Sequence, residues 1–196
     1  MGYTIRFFNQ YLGLGRMLPL SDENKKNIIY LLSGPLGVGK STTSKKLAQT
    51  VKKCVLLEGD CILHMFEHGS RASWEDRLSL TWENILALTR NFIQHDFNVV
   101  IDFVVEDELE WFCKHISDLQ VTLKYIVLRA DKEKLRERLR IRGDYDSLER
   151  SLFLLNKLES APSNKKFIYD NTLRNTAEIV DVIINDTRFI VNIKTS

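Results

Sequence analysis

An α/β fold, with a parallel sheet covered by helices on both faces, is what this sequence predicts. Three observations carry that expectation. Short apolar, β-rich runs alternate along the chain with helical patterns. A glycine-rich octapeptide, Gly34 to Ser41, lies between the first such run and the first helix. The residues with the most evident chemistry stand where strands end, and ligands gather there in sheets of this kind. With 196 residues and 44% apolar content, the chain suffices for one domain with a sizeable core.

Residues 28–32 read as a buried strand, and 42–53 as a helix with Leu47, Ala48 and Val51 at helical spacing. Val55 to Leu57 is the second strand. Ser73-Trp74-Glu75-Asp76 reads as a capping box opening a long helix to about Gln94. Val99 to Ile101 is the third strand, ending at Asp102, and a helix over 107–119 precedes a fourth strand over 121–128. Asp131 is placed to cap the next helix and Gly143 to end it. There follow a helix near 147–158, a turn-rich stretch at 160–164 and a fifth strand over 167–169. A helix over 175–185, capped by Asn175, and a last short strand over 189–193 complete the pattern.

The octapeptide GPLGVGKS matches G-x-x-x-x-G-K-[ST] in full. Gly34, Gly37 and Gly39 let successive backbone N–H groups face one concavity, with Pro35, Leu36 and Val38 between them. Ser41 and Thr42 then open a helix whose N-terminus adds partial positive charge. Lys40 is placed to reach β- and γ-phosphates, and Ser41 to offer its hydroxyl to Mg²⁺. A nucleoside triphosphate is the implied ligand. Guanine is disfavoured, because Asn164-Lys165-Lys166-Phe167 lacks the aspartate of N-K-x-D. No L-S-G-G-Q transporter signature occurs.

Two further features favour phosphoryl transfer. Leu57-Glu58-Gly59-Asp60 closes the second strand, where a carboxylate faces an acceptor hydroxyl across the γ-phosphate. Glu58 and Asp60 share a face if both are extended, and Asp60 is nearer the strand mouth; the competing role for Asp60 is a helix N-cap for residues 61–67. The helix at 131–142 carries Arg136, Arg138, Arg140 and Arg142. At about 100° per residue, Arg138 and Arg142 share one ridge and Arg136 and Arg140 another. Glu133 and Glu137 neutralise little of this charge. Arg138 and Arg142 therefore suit a lid, over about 131–150, that closes on a triphosphate, against the plainer alternative of a solvated helix. Asp102 either holds Mg²⁺ through water or caps the next helix. Trp74, Trp82 and His64 suit an acceptor pocket or ordinary packing.

Taken together, GPLGVGKS, LEGDCILHM, LRERLRIRGD and FIYDNT resemble the small P-loop kinases, among them gluconate kinase, shikimate kinase and chloramphenicol phosphotransferase. The resemblance covers residues 28 to about 186. It implies a five-stranded parallel core, ATP and Mg²⁺ as cofactors, Asp60 as the acceptor-side carboxylate and Arg138 and Arg142 as lid residues. It also implies that Asn171 and Thr172 lie near the adenine. The Leu57–Asp60 run followed by His64 is closest to gluconate kinase. Met65, Phe66 and Glu67 replace the basic residues that continue the pattern there, so the acceptor pocket differs. Residues 69–74 and the following helix resemble a tunicamycin-resistance ATP-binding protein. Two functions follow. One is an ATP-dependent kinase acting on a hydroxyl of a small molecule, such as a sugar acid or an antibiotic. The other is a nucleotide-binding resistance or regulatory protein that holds its ligand without phosphorylating it. An intact carboxylate and lid favour the first.

A net charge of +2 is too small to argue for a nucleic-acid partner. Three cysteines, Cys54, Cys61 and Cys113, are odd in number and lack metal-ligand spacing, which suits buried thiols in a reducing compartment. No apolar run approaches a membrane span. A cytoplasmic monomer or homodimer is the expectation. Residues 1–26 read as an extension outside the domain of 27–196. Tyr3 to Leu20 carries Arg6 and Arg16 and no acid, Met17 is an alternative start, and a targeting peptide is the competing reading.

Overall fold

The computed structural model describes residues 26–66 and 72–193. The expected N-terminal extension, save Lys26, lies outside the described residues, as do Glu67 and residues 69–71 of the resemblance to the tunicamycin-resistance protein. Five strands, β1 (Asn27–Ser33), β2 (Cys54–Glu58), β3 (Asn98–Asp102), β4 (Val121–Arg129) and β5 (Ile168–Asp170), form one sheet in the order β2-β3-β1-β4-β5. Every pairing is parallel. The register aligns Leu32 of β1 and Glu58 of β2 with Asp102 of β3, so β2 and β3 end at one rung and β1 one residue beyond it. Among the described residues seven α-helices surround the sheet: α1 (Lys40–Thr50), α2 (Gly59–Leu63), α3 (Trp74–Gln94), α4 (Leu109–His115), α5 (Lys132–Arg142), α6 (Leu148–Ser160) and α7 (Thr176–Asn185).

Side chains alternate across a strand, and here both sets are apolar because both faces are covered. Ile29, Leu31, Val99, Ile101, Leu123 and Tyr125 pack with Trp82 and Ile85 of α3 and Phe112 of α4. On the opposite face, Tyr30, Leu32, Val100, Ile126 and Leu128 meet Leu47 of α1, Leu135 of α5 and Ile179 and Ile183 of α7. This is the three-layer α/β architecture anticipated from the alternation of patterns.

Local signals set several boundaries. Ser73 accepts the Asp76 N–H at the start of α3, and Asn175 and Glu178 form a complete capping box on α7. Gly143 ends α5 in the left-handed conformation. Other expectations need correction. The helix over 107–119 shrinks to α4 because Glu108 turns its carboxylate back to accept the N–H groups of Glu106 and Asp107. Asp131 occupies the N-cap position of α5 without a side-chain cap bond, its carboxylate accepting from Arg129 instead. Residues 189–193 form no strand. Asp186 accepts the Arg188 N–H and opens a 3-10 turn at Thr187–Phe189, and only Ile190 bridges to Lys124. The buried Phe189 reflects packing against Tyr169 rather than strand pairing. None of the three cysteines is fully buried: Cys61 is exposed, and Cys54 and Cys113 are half-buried.

Two ionic ties fix the layout around the carboxyl ends of the strands. Arg129, at the end of β4, donates to Asp131, Glu159 and Asp170, joining the start of α5, the end of α6 and β5. Lys157 and Arg150 of α6 pair with Glu106, and Lys157 also with Asp107, fastening α6 to the segment after β3.

Candidate active site

The phosphate loop leaves β1 at Ser33 and enters α1 at Lys40. Its backbone is held from several sides. Lys40 Nζ donates to the carbonyls of Gly34 (2.8 Å) and Pro35 (3.1 Å). Ser151 Oγ of α6 donates to Leu36 O at 2.7 Å. Val38 O accepts from both Asn171 Nδ2 (2.6 Å) and Arg138 Nη1 (2.9 Å). Gly37 adopts φ +77°, and a Cβ there would lie 2.9 Å from Leu139 Cγ, so α5 rests directly on the loop.

Behind the loop, Asp102 is 6% exposed at the end of β3. Burial pushes its carboxyl above the usual carboxylate range, opposed by the Lys40 charge and the Ser41 hydroxyl and reinforced by Asp60 and Glu58. Burial likewise pulls the Lys40 ammonium below its ordinary value, against the influence of Asp102 and Asp60 and with that of Arg142. Lys40 thus feels Asp102, Asp60 and Arg142, and Asp102 feels Lys40, Ser41, Asp60 and Glu58. Asp102 caps no helix, since α4 begins seven residues later with Glu108 at its N-cap. An oxygen pair from Ser41 and Asp102 fits a hard cation that keeps water and phosphate oxygens in its remaining positions. No cluster of three or more metal-ligating side chains occurs among the described residues.

Asp60 and Glu58 part company. Glu58 ends β2 and pairs with Lys45 of α1 at 3.2 Å, whereas Asp60 lies in the first turn of α2 and is exposed. They share no strand face, because the chain turns helical at Gly59. Nor is Asp60 the N-cap, a position held by Glu58. Gly59 is buried, and a Cβ on it would overlap the Phe103 ring, so only glycine allows the turn that presents Asp60. His64 follows at the C-cap of α2, exposed. Trp82 belongs to the core at 2% exposure, in edge contact with Phe103 and Phe112. Trp74 is 48% exposed beneath the Arg77 guanidinium.

On the other side of the loop lies a cavity of about 290 Å³, lined by Val38, Gly39, Thr42, Thr43, Arg138, Ile141, Arg142, Asn171, Arg174, Thr176 and Ile179. Arg138 and Arg142 both line it, whereas Arg136 and Arg140 do not. Arg136 stands instead 3.9 Å from Glu133. The two arginines differ in setting. Arg138 is half-buried, with burial and Arg142 lowering its pKa, and Arg142 is exposed. Asn171 is on the cavity wall, but Thr172 is not. Its hydroxyl donates to Asp170 and accepts the Asp131 N–H, which anchors the start of α5. Sequence reasoning missed Arg174, Thr176 and Ser151. For Ser151 a signal existed: it shares the buried stripe of α6 with Leu154, Leu155 and Leu158, an odd place for a hydroxyl without a partner.

The fold is similar to those of several solved proteins. The tunicamycin resistance protein of Deinococcus radiodurans superposes with a TM-score of 0.61 at 18% identity, over 81% of this chain and 94% of that one. An APS kinase from Mycobacterium tuberculosis gives 0.62 at 14% identity, over 81% and 96%. A gluconokinase from Sinorhizobium meliloti gives 0.53 at 19%, over 81% and 89%. At these identities the likeness concerns the fold, and it agrees with the small P-loop kinases named from the motifs. No curated protein matches the chain. A family model described as an AAA domain matches residues 29–152, from β1 through the loop to the first turns of α6. More than half of the sequence lies within that match, and the chain therefore belongs to the AAA domain family, in the form of a small P-loop kinase fold.

Proposed function

We propose that this protein is an ATP-dependent kinase that transfers the γ-phosphate to a hydroxyl group of a small molecule. The observation that carries the reading is the juxtaposition of Lys40, Ser41 and the buried Asp102 with an exposed carboxylate, Asp60, on one side and an arginine-lined cavity on the other. A binding protein needs no carboxylate opposite the phosphate loop; a phosphotransferase does.

In this reading the cavity beside Asn171 takes the adenosine, and the loop N–H groups with Lys40 hold the phosphates. Ser41, with Asp102 through water, would hold Mg²⁺, which would neutralise phosphate charge. Asp60 orients the acceptor hydroxyl and accepts its proton. Arg138 and Arg142 lie against the charge that develops during transfer, as lid residues over about 131–150. The domain spans 27–196, the acceptor is a sugar acid, an antibiotic or a compound of similar size, and the protein works in the cytoplasm as a monomer or homodimer without a nucleic-acid partner. Among the described residues no helix is long and apolar enough to cross a membrane.

Thermal unfolding with Mg²⁺ and ATP tests the first half. A ligand at a hundredfold excess over Kd adds about 2.7 kcal/mol of stability. Lys40→Ala removes most of that gain, and equal shifts in both proteins would refute nucleotide binding at the loop. ADP release across a library of hydroxyl compounds, including a 5′-hydroxyl RNA oligonucleotide, tests the second half. ATP binding with no acceptor-dependent release would instead favour the sequestering protein.

A further inference from the structure

We infer that Ser151 of α6 is a positioning residue of the phosphate loop, acting with Asn171 to aim the loop's N–H groups at phosphate oxygens. The inference rests on the nucleotide reading above and deepens it. Ser151 is fully buried on an otherwise apolar helix stripe, and its hydroxyl donates to the Leu36 carbonyl at 2.7 Å. Asn171, also buried, donates to the Val38 carbonyl at 2.6 Å. These are two of the alternate peptides of the loop, and no described peptide is cis.

In a planar trans peptide the carbonyl and the following N–H point in opposite directions. Drawing the Leu36 carbonyl onto α6 therefore turns the Gly37 N–H away from α6. Drawing the Val38 carbonyl onto Asn171 turns the Gly39 N–H away from β5. Both N–H groups are left for the concave side of the loop, where a row of such donors makes an anion site. Gly37 and Gly39 are the positions whose positive φ, +77° and +103°, would otherwise leave these peptides freest to rotate. The loop's anion-binding conformation is thus set by side chains more than 100 residues downstream, on elements that Arg129 and Glu106 already lock in place.

Ser151 does not line the cavity assigned to the base, which separates a role in aiming N–H groups from any contact with adenosine. The experiment is isothermal titration of the unaltered protein, Ser151→Ala and Ser151→Thr with tripolyphosphate and Mg²⁺, with ATP and Mg²⁺, and with adenosine. The expected result is roughly a three- to tenfold loss of tripolyphosphate and ATP affinity in Ser151→Ala, the range for one lost neutral hydrogen bond. Adenosine affinity stays unchanged, and Ser151→Thr, which restores the hydroxyl, recovers the phosphate affinity. If Ser151→Ala melts lower yet binds tripolyphosphate as tightly as the parent, Ser151 is a packing residue and the inference is overturned. A parallel loss of adenosine affinity overturns it as well. If the unaltered protein binds neither tripolyphosphate nor ATP, the nucleotide reading itself fails, and this inference with it.

Discussion

The two sides of the phosphate loop are built differently. On the β5 side, carbonyls are claimed by Ser151, Asn171 and Arg138, glycine meets Leu139, and side chains from three separate elements interlock. On the β2 side the chemistry hangs from a single turn. Asp60 projects from a five-residue helix, Met65 beyond it is 74% exposed, and Trp74 stands open at the head of α3. The first arrangement suits a ligand that never changes, and the second one that is chosen by a few side chains. Rigidity is concentrated where the nucleotide is proposed to sit.

The largest effect expected from this contrast is at Asp60. Asp60→Asn should leave ATP-induced stabilisation intact while turnover with a true acceptor falls by roughly 10²–10⁴-fold, the range for losing a general base. Asparagine keeps the size, so unchanged turnover would make the β2 side a bystander and break the comparison.

The arginines sharpen it. Both Arg138→Ala and Arg142→Ala should lower turnover, by on the order of 10- to 1000-fold if they stabilise developing charge. They should differ in the unliganded protein. Arg138 shares the Val38 carbonyl with Asn171, so its removal should lower the melting temperature, whereas removing the exposed Arg142 should scarcely move it. Equal melting temperatures would mean that Arg138 adds nothing to the loop in the absence of a ligand.

A smaller effect is expected at Gly59, a tight point on the open side. Gly59→Ala forces a methyl group into Phe103 and should cost about 1–3 kcal/mol in urea unfolding, as overpacking does. The turn should also tilt Asp60, so turnover per folded molecule should fall further than stability alone explains. A neutral substitution would show that the β2 turn yields without consequence.

Much of this architecture is legible in the sequence. Periodicity gives all five sheet strands, because both faces of the sheet are covered and the runs are apolar apart from Thr122 and Lys124 of β4. The loop was legible because its glycines, lysine and serine each answer a distinct physical need. Helical angle and the resemblance both separate Arg138 and Arg142 from Arg136 and Arg140, and the cavity divides them the same way. Elsewhere, side chains take partners that periodicity does not register. Thr172 was placed by resemblance near the base, but its hydroxyl is taken by Asp170 and the Asp131 backbone. Asp131 forgoes its cap for Arg129. The run at 189–193 was misread because burial by packing and burial by pairing leave the same apolar mark.

The strand order carries one more consequence. Neighbouring strands lie roughly 5 Å apart, so the sheet is a scale running from β2 at one edge to β5 at the other. β1, which issues the phosphate loop, is its midpoint, with β3 and β2 to one side and β4 and β5 to the other. In the proposed reading, a donor seated above β4 and β5 and an acceptor seated above β2 would approach from opposite edges and meet above β1 and β3, where Lys40 and Asp102 stand. The two molecules would then take separate halves of the strand ends, an arrangement compatible with in-line displacement at phosphorus. Replacing the residues beyond β2 would exchange the acceptor while leaving the donor's half of the scale untouched.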